Sequence, residues 1–244
     1  YLSVPARNLI PLLKDLKSPD LKVEAARGML LNWNFILDKS SIEASIYSAW
    51  EKKLYENMLV LLVPENARKQ IRFLELTKTI SWITTPRPEF GSNPVLGRDQ
   101  FLLTSLKQAV EELTTKLGVD MKKWNYGQEK YHHSLIKHPL SNAVDETTRK
   151  KLEAGPLPRG GYGSTPGMTT NGDNQLGGAS FRIAVDTEDW DKTMFTNTPG
   201  QSGDPESPFY KNLFELWAND KHFPVYFSRP LVEKVAAEKV MLKP

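Results

Sequence analysis

The chain has 244 residues, 39% of them hydrophobic and 25% charged, with a formal net charge of +3 from 32 basic and 29 acidic side chains. That is the composition of an ordinary globular protein, long enough to bury a core as one large domain or two small ones. Basic residues are interleaved with acids, as in Glu51-Lys52-Lys53, so no basic stripe points to nucleic acid; an apolar run such as Leu59 to Val63 is far too short to cross a bilayer; and the absence of cysteine excludes disulfides, thiolate metal sites and a Cys nucleophile.

Tyr1 to Lys14 lacks the basic, apolar, small-residue order of a signal peptide, and Tyr1-Leu2-Ser3-Val4-Pro5 reads as mid-protein sequence. Asn8 to Leu16 is a short apolar stretch broken by Pro11. Ser18-Pro19-Asp20 is a turn or helix start that leads into Leu21 to Leu31. Ser40 with Glu43 predicts a capping box, in which the hydroxyl takes the N3 amide and the carboxylate returns to the N-cap amide. Ile42, Ile46, Trp50, Leu54, Met58 and Leu62 then recur every four residues as one apolar stripe, closed by Pro64. Ala67 to Ile83 predicts another helix, and Arg87 to Gly97 a loop. Asp99 is a plausible N-cap for a helix carrying Leu102, Leu106, Ala109, Val110, Leu113 and Leu117 on one face, with Gly118 suited to its end.

The second half changes character. Gly155 to Gly178 holds eleven Gly or Pro in 24 residues, which no regular element tolerates. Phe181, Ile183 and Val185 alternate with Arg182, Ala184 and Asp186 as in a strand; Thr193 to Asn197 and Phe223 to Ser228 are further short strand candidates. Pro230 suits the first turn of a closing helix over Leu231 to Val240. The change from helical to strand signals near residue 150 predicts an α+β fold, with a mainly helical portion over 1–150 and a loop, strands and a helix over 151–244.

Four constellations invite a chemical reading, and each fails on spacing. Ser202 in Gly200-Gln201-Ser202-Gly203-Asp204 lacks the second glycine of a nucleophile elbow, because Asp204 stands in its place. His132, His133 and His138 have neither the i, i+4 separation nor the intervening Glu of a helical zinc site, and Pro139 breaks any helix there; His138 is better suited to holding a turn. Asp186, Glu188, Asp189 and Asp191 resemble a calcium loop, but its sixth and twelfth positions are Asp191 and Asn197 rather than Gly and Glu. Gly160-Gly161-Tyr162-Gly163 is glycine-rich without the Lys and hydroxyl of a phosphate loop. No catalytic, cofactor-binding or metal-binding residue is therefore assigned.

Larger blocks carry a resemblance. Leu157-Pro158-Arg159-Gly160-Gly161-Tyr162-Gly163-Ser164-Thr165, then Gly178-Ala179-Ser180-Phe181-Arg182-Ile183-Ala184-Val185-Asp186, then Asn197 through Tyr210 with Leu213 and Trp217, resemble the end of the penicillin acylase (penicillin amidase) family. Tyr126-Gly127-Gln128 leading to His138-Pro139-Leu140-Ser141, and Ser3-Val4-Pro5-Ala6-Arg7, resemble upstream segments of the same family in the same order. The resemblance implies an N-terminal-nucleophile hydrolase that cuts its own precursor into α and β subunits, with the strands here completing an αββα sandwich. It implies a Ser at the β-subunit N-terminus, activated by its own α-amine, attacking an acyl amide such as a β-lactam side chain, an acyl homoserine lactone or a lipopeptide tail. That Ser does not lie in this chain: Tyr1 has no nucleophile of the right kind, and Ser3 has no free amine. The same resemblance implies that the oxyanion donors lie upstream, that any calcium is held upstream, that the partners are the upstream β-subunit portion and the α subunit, and that the protein is periplasmic or secreted. The fragment alone is then inactive. The competing reading is a non-catalytic sugar- or peptide-binding module with Trp124, Tyr126, Tyr162 and Trp190 as a stacking platform.

Overall fold

The computed structural model describes residues 1–71, 73–166, 172–175 and 177–242. Part of the Gly155–Gly178 loop and one residue of the Ala67–Ile83 segment thus lie outside the described residues. The elements in chain order are α1 (Val4–Leu9), α2 (Leu21–Leu31), α3 (Ile42–Leu62), α4 (Leu76–Thr84), α5 (Pro94–Leu117), β1 (His133–Ile136), α6 (Glu146–Leu152), β2 (Ala154–Pro158), β3 (Arg182–Ala184), β4 (Met194–Thr196), α7 (Phe214–Ala218), β5 (Phe223–Pro224) and α8 (Arg229–Val235). Short 3-10 turns join several of them. The fold is α+β, as expected from the patterning.

The long helices α3 and α5 form the spine. The four-residue stripe on α3 faces inward: Ile46, Trp50, Leu54 and Met58 are buried, with Ile42 and Leu62 packed at its ends. Leu102, Leu106, Ala109, Val110 and Leu113 of α5 meet it. Burying each large side chain contributes roughly 1.5–3 kcal/mol. Two polar side chains along the seam bridge the helices. The Trp50 indole donates to Leu102 O at 3.1 Å, and the Asn57 amide donates to Ser105 Oγ at 2.9 Å and Gln108 Oε1 at 2.7 Å.

Helix ends correct the sequence reading in detail. Ser41, not Ser40, caps α3: its hydroxyl accepts from Ala44 N at 3.0 Å and donates to Glu43 at 2.8 Å, while Ser40 is engaged by Asp38. Asn93, not Asp99, caps α5, with Pro94 in the first turn, so the expected 87–97 loop ends earlier and Asp99 lies inside the helix. Gly118 closes α5 at φ +93° as expected. Ala67–Ile83 is not one helix; a 3-10 turn at Glu65–Ala67 is followed by α4, capped by Glu75. The apolar stretch from Asn8 is the end of α1 running into a 3-10 turn at Ile10–Leu13, and the closing helix starts and ends earlier than Leu231–Val240.

Two small antiparallel sheets follow. β1 pairs with β2, a pairing the sequence reading did not foresee, and it straddles position 150. β3, β4 and β5 form a second sheet in that order. Its strands are two or three residues long, shorter than the segments expected for them. Phe195 at its centre packs at a tilt against Phe181 and edge-on against Phe223, at ring separations of 5.0 and 4.7 Å. Phe181, Ile183, Val185, Val225 and Phe227 nevertheless remain exposed.

Candidate functional site

The glycine-rich block is built to receive the start of the chain. A Cβ on Gly161, at φ +77°, would lie 2.4 Å from the Tyr1 ring, and one on Gly160 would lie 2.5 Å from Leu37 O. Only glycine permits either approach. Tyr1 is therefore seated on the 160–161 backbone, and its hydroxyl reaches Asp220, which also pairs with Arg182. Arg159 lies beneath, fully buried, its guanidinium 3.7 Å from the centre of the Trp217 ring. Burial holds the Arg159 pKa below its usual value and pushes the Tyr1 phenol up to about 12.

The chemically loaded feature is a cavity of about 490 Å³ between α3, α5 and the segments around Tyr126, His132 and Tyr162. At its floor Glu51 is only 5% exposed. One carboxylate oxygen, Oε2, accepts from the Tyr162 hydroxyl at 2.6 Å and from the Tyr47 hydroxyl. With its own proton committed to Glu51, the Tyr162 oxygen accepts from Ser3 at 3.2 Å, and Ser3 Oγ in turn accepts from Ala6 N at 3.1 Å. Burial pushes the Glu51 carboxyl above the ordinary carboxylate range, against the downward pull of its two hydroxyl donors. Burial also raises the Tyr162 and Tyr47 phenols, and the Glu51 charge adds to it. On the wall the Tyr126 hydroxyl donates to Gly161 O at 2.8 Å and accepts from the Gln175 amide at 3.3 Å. The His132 ring stacks on Tyr126 at 4.0 Å, in a left-handed backbone conformation at φ +49°. Burial, reinforced by the charge of Lys116, lowers its pKa to about 4, so it is neutral at physiological pH.

The sequence-level candidates fall elsewhere. Ser202 Oγ accepts from Asp204 N at 3.1 Å in a surface turn. Gly200 is required there because a Cβ would lie 2.2 Å from Phe209 O. His138 does hold a turn: its Nδ1 accepts from Leu140 N at 3.1 Å. It is not brought to His132, which lines the cavity, or to His133 on β1. The acidic run is spent on backbone amides. Asp186 accepts from Glu188 N and Asp189 N, Asp189 from Asp191 N, and Asp191 from Phe227 N and Ser228 N. Among the described residues no group of three or more His, Asp or Glu converges on a metal position. Trp124, Tyr126 and Tyr162 belong to the core, whereas Trp190 is exposed and packs edge-on against Phe227, so these four rings make no common platform. The residue missed from sequence is Glu51, which stands among charges in Glu51-Lys52-Lys53 and reads as surface. The one available signal was Tyr47, placed one helical turn before it on the same face.

A model of penicillin amidase matches residues 1–234. The chain belongs to the penicillin amidase family. It is 24% identical to an acyl-homoserine lactone acylase of Pseudomonas aeruginosa, over 98% of this chain and 31% of that protein. It is 26% identical to a penicillin acylase 2 proenzyme of Pseudomonas sp. strain SE83, over 90% of this chain and 28% of that protein. The chain thus spans less than a third of the length of these curated relatives. Among solved structures it resembles a thermostable penicillin G acylase from Alcaligenes faecalis, with a TM-score of 0.56 at 20% identity, over 100% of this chain and 47% of that one. At that identity the likeness speaks to the fold.

Proposed function

We propose that the chain is the C-terminal structural portion of a penicillin-acylase-type amide hydrolase whose N-terminal Ser nucleophile lies upstream, outside these residues. The observation that carries this reading is the family match over residues 1–234 in a chain that spans under a third of its relatives. The exposed apolar side chains of the β3–β4–β5 sheet support it, since three very short strands with an uncovered face are not a self-sufficient layer. In this reading the face is covered by the upstream β-subunit portion and the α subunit, and the strands complete the αββα sandwich. The helices before residue 120 form the outer wall, and the strands at Phe181 and Phe223 return to that core. Calcium, where the full protein binds it, is held upstream. The substrate is an acyl amide, and the protein is periplasmic or secreted; among the described residues no helix is long and apolar enough to cross a membrane.

Chromogenic phenylacetyl and longer acyl anilides test the assignment. The full-length protein turns one of them over, and the 244-residue chain alone turns over none. Turnover by the isolated chain that disappears in Ser202→Ala would overturn it.

A further inference from the structure

The Glu51 cavity has a ligand chemistry of its own. Both tyrosyl donors fall on Glu51 Oε2; among the described residues Oε1 receives no hydrogen bond, and no salt bridge reaches the carboxylate. That oxygen is not sealed from the cavity, so water, its own proton or a bound molecule can supply the donor it faces. The two lysines that line the cavity, Lys52 and Lys116, and Lys53 beside them on α3 are already spoken for. Lys52 pairs with Glu112 at 3.0 Å, Lys53 with Glu112 and Glu56 at 2.8 Å each, and Lys116 with Asp173 at 2.6 Å. Glu51 is therefore the acid left without a cation. Around it stand Tyr55 and Tyr162, whose ring faces attract a cation, together with the Tyr126–His132 stack, Ala49 and Leu113, which offer apolar surface. Among the described residues the Tyr55 hydroxyl, itself buried, has no partner. A cavity of about 490 Å³ falls within the range typical of small-molecule pockets.

We propose that this cavity binds a small organic cation, a primary ammonium on an apolar or aromatic body, with the ammonium on Glu51 Oε1 and the body against Tyr55, Tyr126 and Leu113. The inference is independent of amide hydrolysis, and its test uses no turnover. Benzylammonium, benzyl alcohol and benzoate are titrated calorimetrically into the full-length protein that carries this chain. Benzylammonium binds; benzyl alcohol, of the same shape without the charge, binds about tenfold more weakly or worse, and benzoate does not compete. Glu51→Gln weakens benzylammonium by about tenfold or more. Because that variant also disturbs the tyrosyl cluster, Ser48→Trp provides a second one: it fills the cavity from its half-buried wall, leaves Glu51 in place and abolishes binding. Circular dichroism melts establish that each variant is folded. Failure of benzylammonium to bind at millimolar concentration, equal binding of benzyl alcohol, preference for benzoate, or full binding by folded Ser48→Trp would each overturn the proposal.

Discussion

Replacing Tyr162 with Phe deletes one oxygen atom from the most heavily loaded polar cluster in the molecule. The lost bond, 2.6 Å from hydroxyl to Glu51 Oε2, is made to a buried carboxylate, and Ser3 loses the acceptor for its own proton at 3.2 Å. Hydrogen bonds to charged groups contribute about 1.5–3 kcal/mol. For a chain of this size each kcal/mol moves Tm by about 2–4 °C, so the variant melts on the order of 3–12 °C lower. The cost depends on pH. Glu51 titrates above its ordinary range in the folded state. The folded state is therefore favoured below the carboxyl's unfolded pKa, and that advantage is lost as pH rises through the folded one. Removing Tyr162's donor raises the folded pKa further, so the variant suffers more at pH 7, where Glu51 is pressed to ionise, than at pH 4. Urea unfolding of wild type, Tyr162→Phe, Glu51→Gln and the double variant at both pH values measures the coupling directly. A double-variant cycle with no coupling at pH 7, or a larger penalty at pH 4, would refute the argument that this bond serves a buried carboxylate.

Three further outcomes follow from the same geometry. His132 titrates near 4 in the folded state and near 6.5 when unfolded, so stability is complete above the higher value and declines as pH falls from it, by on the order of 3 kcal/mol once both states are protonated; His132→Asn, which tolerates the left-handed backbone, flattens that slope in a melting series. Gly161→Ala places a methyl against the Tyr1 ring at positive φ and lowers Tm by the equivalent of several kcal/mol, whereas Gly203→Ala, with nothing within 4 Å of the added Cβ, leaves Tm near wild type. His138→Ala removes a half-exposed turn bond and costs about 1 kcal/mol in denaturant unfolding, with turnover of the full-length protein retained; lost turnover at unchanged stability would contradict that role.

The long helices were legible because their apolar residues repeat at the helical period and face one another across a single seam. What misled was competition over short distances. Ser40 and Ser41 are equivalent as caps until Asp38 captures the first, and the density of Gly and Pro around Asn93-Pro94 hid a good N-cap with Pro in the first turn behind it. The β1–β2 pair escaped notice because His133-Ser134-Leu135-Ile136 and Ala154-Gly155-Pro156-Leu157 do not alternate; they pair across α6, and nothing local declares it. The family blocks around Arg159 and Gly200 were recognisable as sequence, and Gly160, Gly161 and Gly200 within them proved to sit where a Cβ would collide with Tyr1, Leu37 O or the Phe209 and Tyr210 carbonyls. Glu51 was illegible for another reason. Burial of an ionisable residue is set by what arrives from the far side, and Tyr162 reaches it from a loop remote in sequence.

The seating of Tyr1 over Gly160 and Gly161 means that the two ends of this stretch share one small volume of space. Evolution then cannot edit them independently. A lineage that gives residue 161 a side chain must first shrink residue 1, and one that enlarges residue 1 must keep the glycines. Read across many relatives, these columns should drift as a matched pair, and a swap of one without the other should surface only where some third change has moved that backbone aside.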